Sequence, residues 1–454
     1  MNQEQYILDL EQRIIRLIAE RDSAVKRAEQ LDKEKHNLEK ENLELKKKLG
    51  FYENPHTPPS QETLKEKKPK EKVKKKRGAP VGHRGATREQ PEPEETIDVP
   101  AEECPNCHGN PGKKSDTEEI TVEEREPARI KTTKYILHKH KCELCGFEFT
   151  TKHKDCPQKG NFGVNLLVYL TMLKYHLRGP LRKIQEFLVN QDDFEISPKG
   201  IMDAHLRVGE ACKSEYEKNI QKVRAANWRY IDETGMSVNG DNWWLWIIRT
   251  DKGDVLVVIR KSRGKKVLEE ILGKDHTGPD VVDGWRAYDH IKIIQRCWSH
   301  LTREVDEYED ATENGAQLSG DIYSMFDRMK AFHEREVPMD ERTRRKEKFD
   351  REMEALVERY SGFKELEKPV TYLRRGLGRW FTCLLYPGME PTNNLGEQAI
   401  REHVIVGKII GCFRSENGSQ NYQYIASLLA SWRLQGKNMF VELEKLLRRE
   451  LCLA

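Results

Sequence analysis

Trp228–Val238 (WRYIDETGMSV), Asn242–Thr250 (NWWLWIIRT) and Asp254–Lys261 (DVLVVIRK) follow one another almost without interruption. Each run is rich in β-branched and aromatic residues, and Gly240-Asp241 and Asp251-Lys252-Gly253 supply turn chemistry between them. The stretch therefore predicts an antiparallel meander of three strands. Working outward, KKVLEEILG (Lys265–Gly273) has helical spacing, PDVVDG (Pro279–Gly284) is a short apolar strand, a further helix follows, and IIQRCWSH (Ile293–His300) reads as a fifth strand.

Three antiparallel strands followed by alternating helix and strand match a ribonuclease H-like core, an α/β fold with a mixed five-stranded sheet. That fold carries acids on its first strand, at the end of its fourth strand and on a late helix. Asp232 lies inside an apolar run, where a carboxylate is costly unless a cation compensates it. Side chains alternate along a strand, so Asp232 and Glu233 face opposite sides. Asp283 closes Val281-Val282-Asp283, and Asp280, three residues earlier, is expected on the other face. Glu397 follows Pro391-Thr392-Asn393-Asn394, whose Thr or Asn suits a helix cap, and falls in the first helical turn. Mg²⁺ prefers oxygen ligands, and three carboxylates suffice to hold two ions for displacement at phosphorus. With 76 Asp plus Glu in the chain, any one of these acids alone reads more readily as a surface acid. Their combined placement carries the reading.

The flanks are of other kinds. Residues 1–52 contain Leu10, Leu17, Ala24, Leu31, Leu38 and Leu45 at every seventh position, with Ile7, Ile14, Ala28 and Leu49 on the companion seam. This predicts a coiled coil that dimerises the chain, with Arg21, Lys35 and Asn42 fixing register; a single solvated helix packed on the body is the competing reading. Residues 53–102 form a Pro-rich linker too polar to bury a core. Its basic stretch Lys65–Gly85 includes Lys74, Lys75, Lys76, Arg77 and Arg84, suited to phosphates, although a solvated spacer shares this composition. Residues 103–155 carry Cys104-x-x-Cys107 and Cys142-x-x-Cys145 around a strand-rich segment, a zinc ribbon with four thiolates on one structural Zn²⁺. His108, His138 and His140 are substitute ligands of lower standing. Residues 160–225 read as three helices, the last capped by Ser197 with Pro198 in its first turn. This is a helix-turn-helix shape, which ordinary core helix pairs also show. The net charge of +3 does not by itself identify a nucleic-acid binder. No apolar run is long enough for a membrane span, and the N-terminus lacks the pattern of a signal peptide.

At YIDETG (Tyr230–Gly235), VVDGWRAY (Val281–Tyr288), RCWSH (Arg296–His300) and PTNNLGEQAIR (Pro391–Arg401) the chain resembles the bacterial and archaeal transposases of insertion sequence 66. RGAPVGHRGATR (Arg77–Arg88), the two CxxC pairs and the N-terminal heptads extend the resemblance over nearly the whole length. It implies Asp232, Asp283 and Glu397 as the catalytic triad and metal ligands for two Mg²⁺ (or Mn²⁺) ions. It also implies a core interrupted by a helical insertion, giving a first part at 226–303, the insertion at 304–380 and a second part at 381–454. The expected activity is binding of element ends, phosphodiester hydrolysis and strand transfer.

Around the triad, His300 and Arg303 are candidates for the scissile phosphate, Arg401 is suited to orienting the Glu397 carboxylate, to holding a phosphate or equally to a plain salt bridge, and Lys408 and Arg414 extend a basic track. Trp285 and Trp298 are candidates for stacking on an unpaired base, with core packing the better use of an aromatic ring. Expected partners are double-stranded DNA at element ends and target, a homodimer or higher oligomer, and accessory transposition proteins. The expected location is the prokaryotic cytoplasm, at the nucleoid when bound to DNA. Two other classes fit parts of the chain: a transposase-derived DNA-binding regulator that does not cut, and a structure-specific nuclease that cuts without joining.

Overall fold

The computed structural model describes residues 130–452 continuously, with scattered positions before them. Most of the expected coiled coil, the basic stretch with Lys74, Lys75, Lys76, Arg77 and Arg84, and the first cysteine pair, Cys104 and Cys107, lie outside the described residues. Within the heptad segment, Leu31 and Leu38 are helical and exposed.

Residues 130–452 belong to one compact unit. It opens with a small antiparallel hairpin, β1 (Lys139–Lys141) and β2 (Glu148–Thr150). Cys142 and Cys145 sit in its turn, where Gly146 adopts φ 69° and donates its N–H to the Cys142 carbonyl at 2.8 Å. Three helical stretches follow. α1 (Val164–Thr171) passes into a π-helical turn, Met172–His176; α2 is Leu181–Asp192 and α3 is Pro198–Arg224. Ser197 caps α3 as expected, accepting the Gly200 N–H at 3.0 Å.

The main sheet has five strands in the order β5-β4-β3-β6-β7, with β3 at Arg229–Val238, β4 at Asp241–Thr250, β5 at Val255–Arg260, β6 at Asp280–Val282 and β7 at Ile294–Arg296. β3, β4 and β5 form the antiparallel meander, and β6 and β7 add in parallel. The first hairpin turn is Asn239-Gly240, one residue earlier than Gly240-Asp241. Both residues take positive φ (53° and 85°), the conformation that a two-residue loop matching strand twist requires.

Helices cover both faces of the sheet. On one side Ile231, Trp246, Ile248, Leu256 and Val258 pack with Tyr216 and Val223 of α3 and with α4 (Lys265–Leu272). On the other, Met236, Leu245, Ile247 and Val257 meet α9 (Asn394–Ile410) and α10 (Glu416–Leu434). Between β7 and α9 the chain makes a helical excursion through α5 (Trp298–Glu309), α6 (Glu313–His333), α7 (Met339–Tyr360) and α8 (Glu367–Arg375). Its core joins Trp298, Trp380 and Phe381 to Tyr230 and Val281 of the sheet. Trp298 is fully buried there, which removes it as a platform for a base.

The helices of 160–225, expected as a unit of their own, share one apolar core with α10 and α11 (Met439–Leu451). α3 also reaches the sheet, where Tyr216 and Asn219 donate to the carbonyls of Val257 and Val255. Apolar periodicity marks a buried helix face but does not name the element that covers it, and here the cover comes from the far end of the chain.

Both edges of the sheet are closed. α10 lies along β5, with Gln423, Ser427 and Ser431 spaced four residues apart. Their side-chain oxygens accept the N–H groups of Ile259, Val257 and Val255 at 2.9, 2.8 and 2.8 Å. Along β7, the Arg379 carbonyl accepts the Arg296 N–H, the Thr382 hydroxyl donates to the Ile294 carbonyl, and the Gln295 side chain pairs with Trp380 and Cys383 backbone. No helix among the described residues is long and apolar enough to cross a membrane.

Candidate active site

β3 and β6 run in parallel with Arg229 opposite Asp280 and Tyr230 opposite Val281. Carried two residues further, that register sets Asp283, just past the end of β6, beside Asp232. Neighbouring strands stand about 4.8 Å apart, so the two carboxylates emerge side by side from one face. Tyr230, Met236 and Val238 share that face with Asp232, and it is the face covered by α9. Asp283 is oriented by its own turn, accepting the Trp285 N–H at 2.8 Å.

Glu397 stands in the first turn of α9, where its N–H bonds the Asn393 carbonyl at 2.9 Å. Asn393 occupies the N-cap position, yet its side chain does not cap the helix. Its amide nitrogen instead donates to the Ile231 carbonyl at 2.8 Å, tying the start of α9 to the residue before Asp232. Gly396 leaves room for this: a Cβ there would lie 2.5 Å from the Asn393 Oδ1. A second tie joins α9 to α5. The Asn393 N–H points at Cys297 Sγ (3.1 Å), and the Trp298 N–H donates to the Pro391 carbonyl (3.1 Å).

Asp232 is buried and feels the charges of both other acids. Burial pushes the Asp232 carboxyl up to about 7, and the charges of Glu233, Asp283 and Glu397 push it the same way, against the Glu233 N–H that favours the carboxylate. Burial lowers His300 despite the nearby charges of Asp283 and Glu397, favouring a neutral imidazole. His300 Nδ1 is 3.8 Å from Glu397 Oε1, and both atoms are buried without a hydrogen-bond partner. Such atoms are uncommon in a folded protein and call for an occupant. Around Glu397, the donor atoms of Cys297, His300 and Glu397 all lie within 4.8 Å of one another.

Glu233 turns to the opposite face, as strand alternation requires. It accepts from the Tyr288 hydroxyl and from Arg263 (2.9 Å to Nε). Arg263 in turn lies between the rings of Trp244 and Trp285, 4.6 and 4.1 Å from their centroids, which leaves Trp285 exposed beside the Asp283 turn. Asp280 is also a structural group, paired with buried Arg229 at 2.6 Å and with His276. The sequence alone does not name the partners of Glu233, Arg263, Cys297 and Asn393. Their motifs are visible there, but which neighbour each side chain meets is set by strand parity and by contacts distant in sequence.

The other candidates are placed as follows. Arg303 is exposed one turn beyond His300 on α5. Arg401 and Lys408 are exposed on α9, and their spacing from Glu397 sets all three on one helical face. Exposed Arg414 follows Phe413, which pairs with the end of β3. Of the expected zinc ligands, Cys142 and Cys145 come together in the hairpin turn. The Cys142 thiol is held below its usual range by the backbone N–H groups of Cys145 and Leu144 and by the Cys145 side chain. His140 stacks on Phe149 with its ring centroid 5.4 Å away.

Comparison with known families matches residues 159–421 to the family described as Transposase IS66 family, while no curated protein matches. The matched span takes in β3, Asp283, the helical excursion and Glu397, and it exceeds half of the chain. The chain belongs to the IS66 family of transposases.

Proposed function

We propose that the chain cuts and joins DNA at a site formed by Asp232, Asp283 and Glu397 on a ribonuclease H-like core. The observation that carries this reading is the β3–β6 register, which sets Asp283 beside Asp232, together with the Asn393–Ile231 bond that ties the start of the Glu397 helix to the same strand; burial and the neighbouring charges raise the Asp232 carboxyl in keeping with it. Acids from a strand, a strand end and a helix, distant in sequence, come near enough for Asp232 to feel the charges of the other two, a repulsion that a bound cation would relieve. The orphaned Glu397 Oε1 fits the same occupant. The strand order, with three antiparallel strands and two added in parallel, supports the core assignment.

Asp232, Asp283 and Glu397 would hold two Mg²⁺ or Mn²⁺ ions. Bound there, the ions would activate the attacking oxygen and stabilise the leaving one during in-line displacement at phosphorus. The protein's part is to fix the three carboxylates, through the β3–β6 register and the Asn393–Ile231 tie. It also presents Arg401, Lys408 and Arg303 to the phosphate backbone, which sets position more than sequence. The reaction is hydrolysis of a phosphodiester at an element end, freeing a 3′-hydroxyl that then attacks target DNA. No covalent enzyme–DNA link is needed.

Residues 304–380 act as a helical insertion in this scheme. Cys104, Cys107, Cys142 and Cys145 would hold a structural Zn²⁺, the basic linker and helical segment would bind DNA, and the N-terminal heptads would pair subunits. The test uses an oligonucleotide carrying the element's terminal repeat. Divalent-dependent nicking and joined products are expected, and both are lost in Asp232→Ala while binding persists. Joined products from Asp232→Ala would refute the assignment, binding without cleavage in the parent would mark a regulator, and cleavage without joining a nuclease.

A further inference from the structure

We infer that His300 is a nitrogen ligand, through Nδ1, for the ion held by Glu397, and that this position selects Mn²⁺ or a similar transition ion over Mg²⁺. The inference rests on the proposed two-ion reading and goes beyond it in ligand set and ion preference. Its basis is the meeting of two helix starts. His300 lies in the first turn of α5 and Glu397 in the first turn of α9. The Asn393 N–H···Cys297 Sγ contact and the Trp298 N–H···Pro391 carbonyl bond hold those turns together.

His300 Nδ1 and Glu397 Oε1 face each other at 3.8 Å, each buried and each without a hydrogen-bond partner. That separation is too long for a hydrogen bond, which would bring nitrogen and oxygen to about 2.7–3.2 Å. It leaves room for a shared ion: with both donors about 2.1 Å from one metal, this separation corresponds to an angle of roughly 130°, and a shift of less than about 1 Å brings the pair to a right-angled or an opposite arrangement. With the ring proton on Nε2, a nitrogen lone pair faces a carboxylate oxygen, an arrangement that a cation between them would satisfy.

Imidazole beside a carboxylate changes the selectivity. Mg²⁺ takes oxygen ligands and keeps its waters, whereas Mn²⁺ and the later transition ions accept imidazole nitrogen. Cys297, the third member of the cluster, does not need to bind the ion, because its sulfur already accepts the Asn393 N–H at 3.1 Å.

The test is electron spin-echo envelope modulation on full-length protein loaded with Mn²⁺. Nitrogen coupling from one imidazole is expected in the parent and absent in His300→Asn. Mn²⁺ affinity should fall at least about tenfold in that variant, while Mg²⁺ affinity by calorimetry changes less than about threefold. Mn²⁺ that is bound, and released in Glu397→Gln, but shows no nitrogen coupling in the parent overturns the histidine ligand alone. Mn²⁺ binding indifferent to both Asp232→Asn and Glu397→Gln overturns the two-ion reading with it. The parent spectrum decides even if His300→Asn fails to fold.

Discussion

Arg229 Nε lies 2.6 Å from Asp280 Oδ1 with both side chains buried, and His276 takes the other carboxylate oxygen. Only Val281 and Val282 separate this structural acid from Asp283, and the parity of the strand divides their work. Asp280→Asn leaves a buried guanidinium without its counter-charge, which should cost about 3–5 kcal/mol in denaturant unfolding. Asp283→Asn should change stability by less than about 1 kcal/mol while abolishing strand cleavage. Equal destabilisation by the two substitutions would contradict this division.

Asp232 gives a pH signature. Its carboxyl is raised from 3.8 to about 7, so across that window the fold retains a proton that the unfolded chain has released. Stability therefore falls as pH rises from 3.8 to 7, and the loss is complete above that range. In chelator at pH 8, Asp232→Asn should be more stable than the parent by about 2–4 kcal/mol, and near pH 4 the two should coincide. Adding divalent ion should stabilise the parent more than the variant. Melting curves across pH, with and without ion, check both statements.

Two buried histidines work in the opposite direction. His205, bonded through Nε2 to the Leu170 carbonyl, and His403, bonded through Nδ1 to the Tyr422 hydroxyl, are both lowered to about 4, chiefly by burial. The unfolded chain takes up these protons from 6.5 downward and the fold does not, so their contribution is full above pH 6.5 and lost as pH falls to about 4. Replacing His403 by Gln should flatten the acid limb of the stability profile. An unchanged slope between those pH values would show that the imidazole is protonated in the fold.

Ser427 and Ser431 each accept an N–H of β5. Alanine at either position leaves a buried backbone donor unsatisfied, at a cost of about 1–3 kcal/mol each. Threonine, which keeps the hydroxyl, should recover part of it. Equilibrium unfolding of the single and double variants checks the size, and a loss below about 0.5 kcal/mol for the double variant would mean that water reaches the strand.

The meander and the positions of the three acids were legible because they depend on local pattern: β-branched runs, a carboxylate inside an apolar strand and a carboxylate at a strand end. Ser197 as a cap was legible for the same reason. Less was visible where a contact spans the chain. The helices around Leu167 and Ile201 show an apolar face but not that Leu428 and Leu446 cover it. Asn393 reads as a helix cap from its neighbours, and only the proximity of Ile231 diverts its amide. The hairpin turn falls one residue earlier than Gly240-Asp241 because Asn239 takes the first positive-φ position and Asp241 already pairs in β4.

The closure of the sheet by Gln423, Ser427 and Ser431 on one side and by the Arg379–Cys383 strand cover on the other bears on quaternary structure. A peptide or a second subunit that zips onto a protein by β-augmentation needs a row of open main-chain donors and acceptors. Such rows are already occupied along β5 and β7, so two copies cannot merge their five-stranded sheets into one. Pairing of subunits, where it occurs, should therefore avoid strand addition at this sheet, and substitutions that disturb it should map to helix surfaces or to segments outside the sheet.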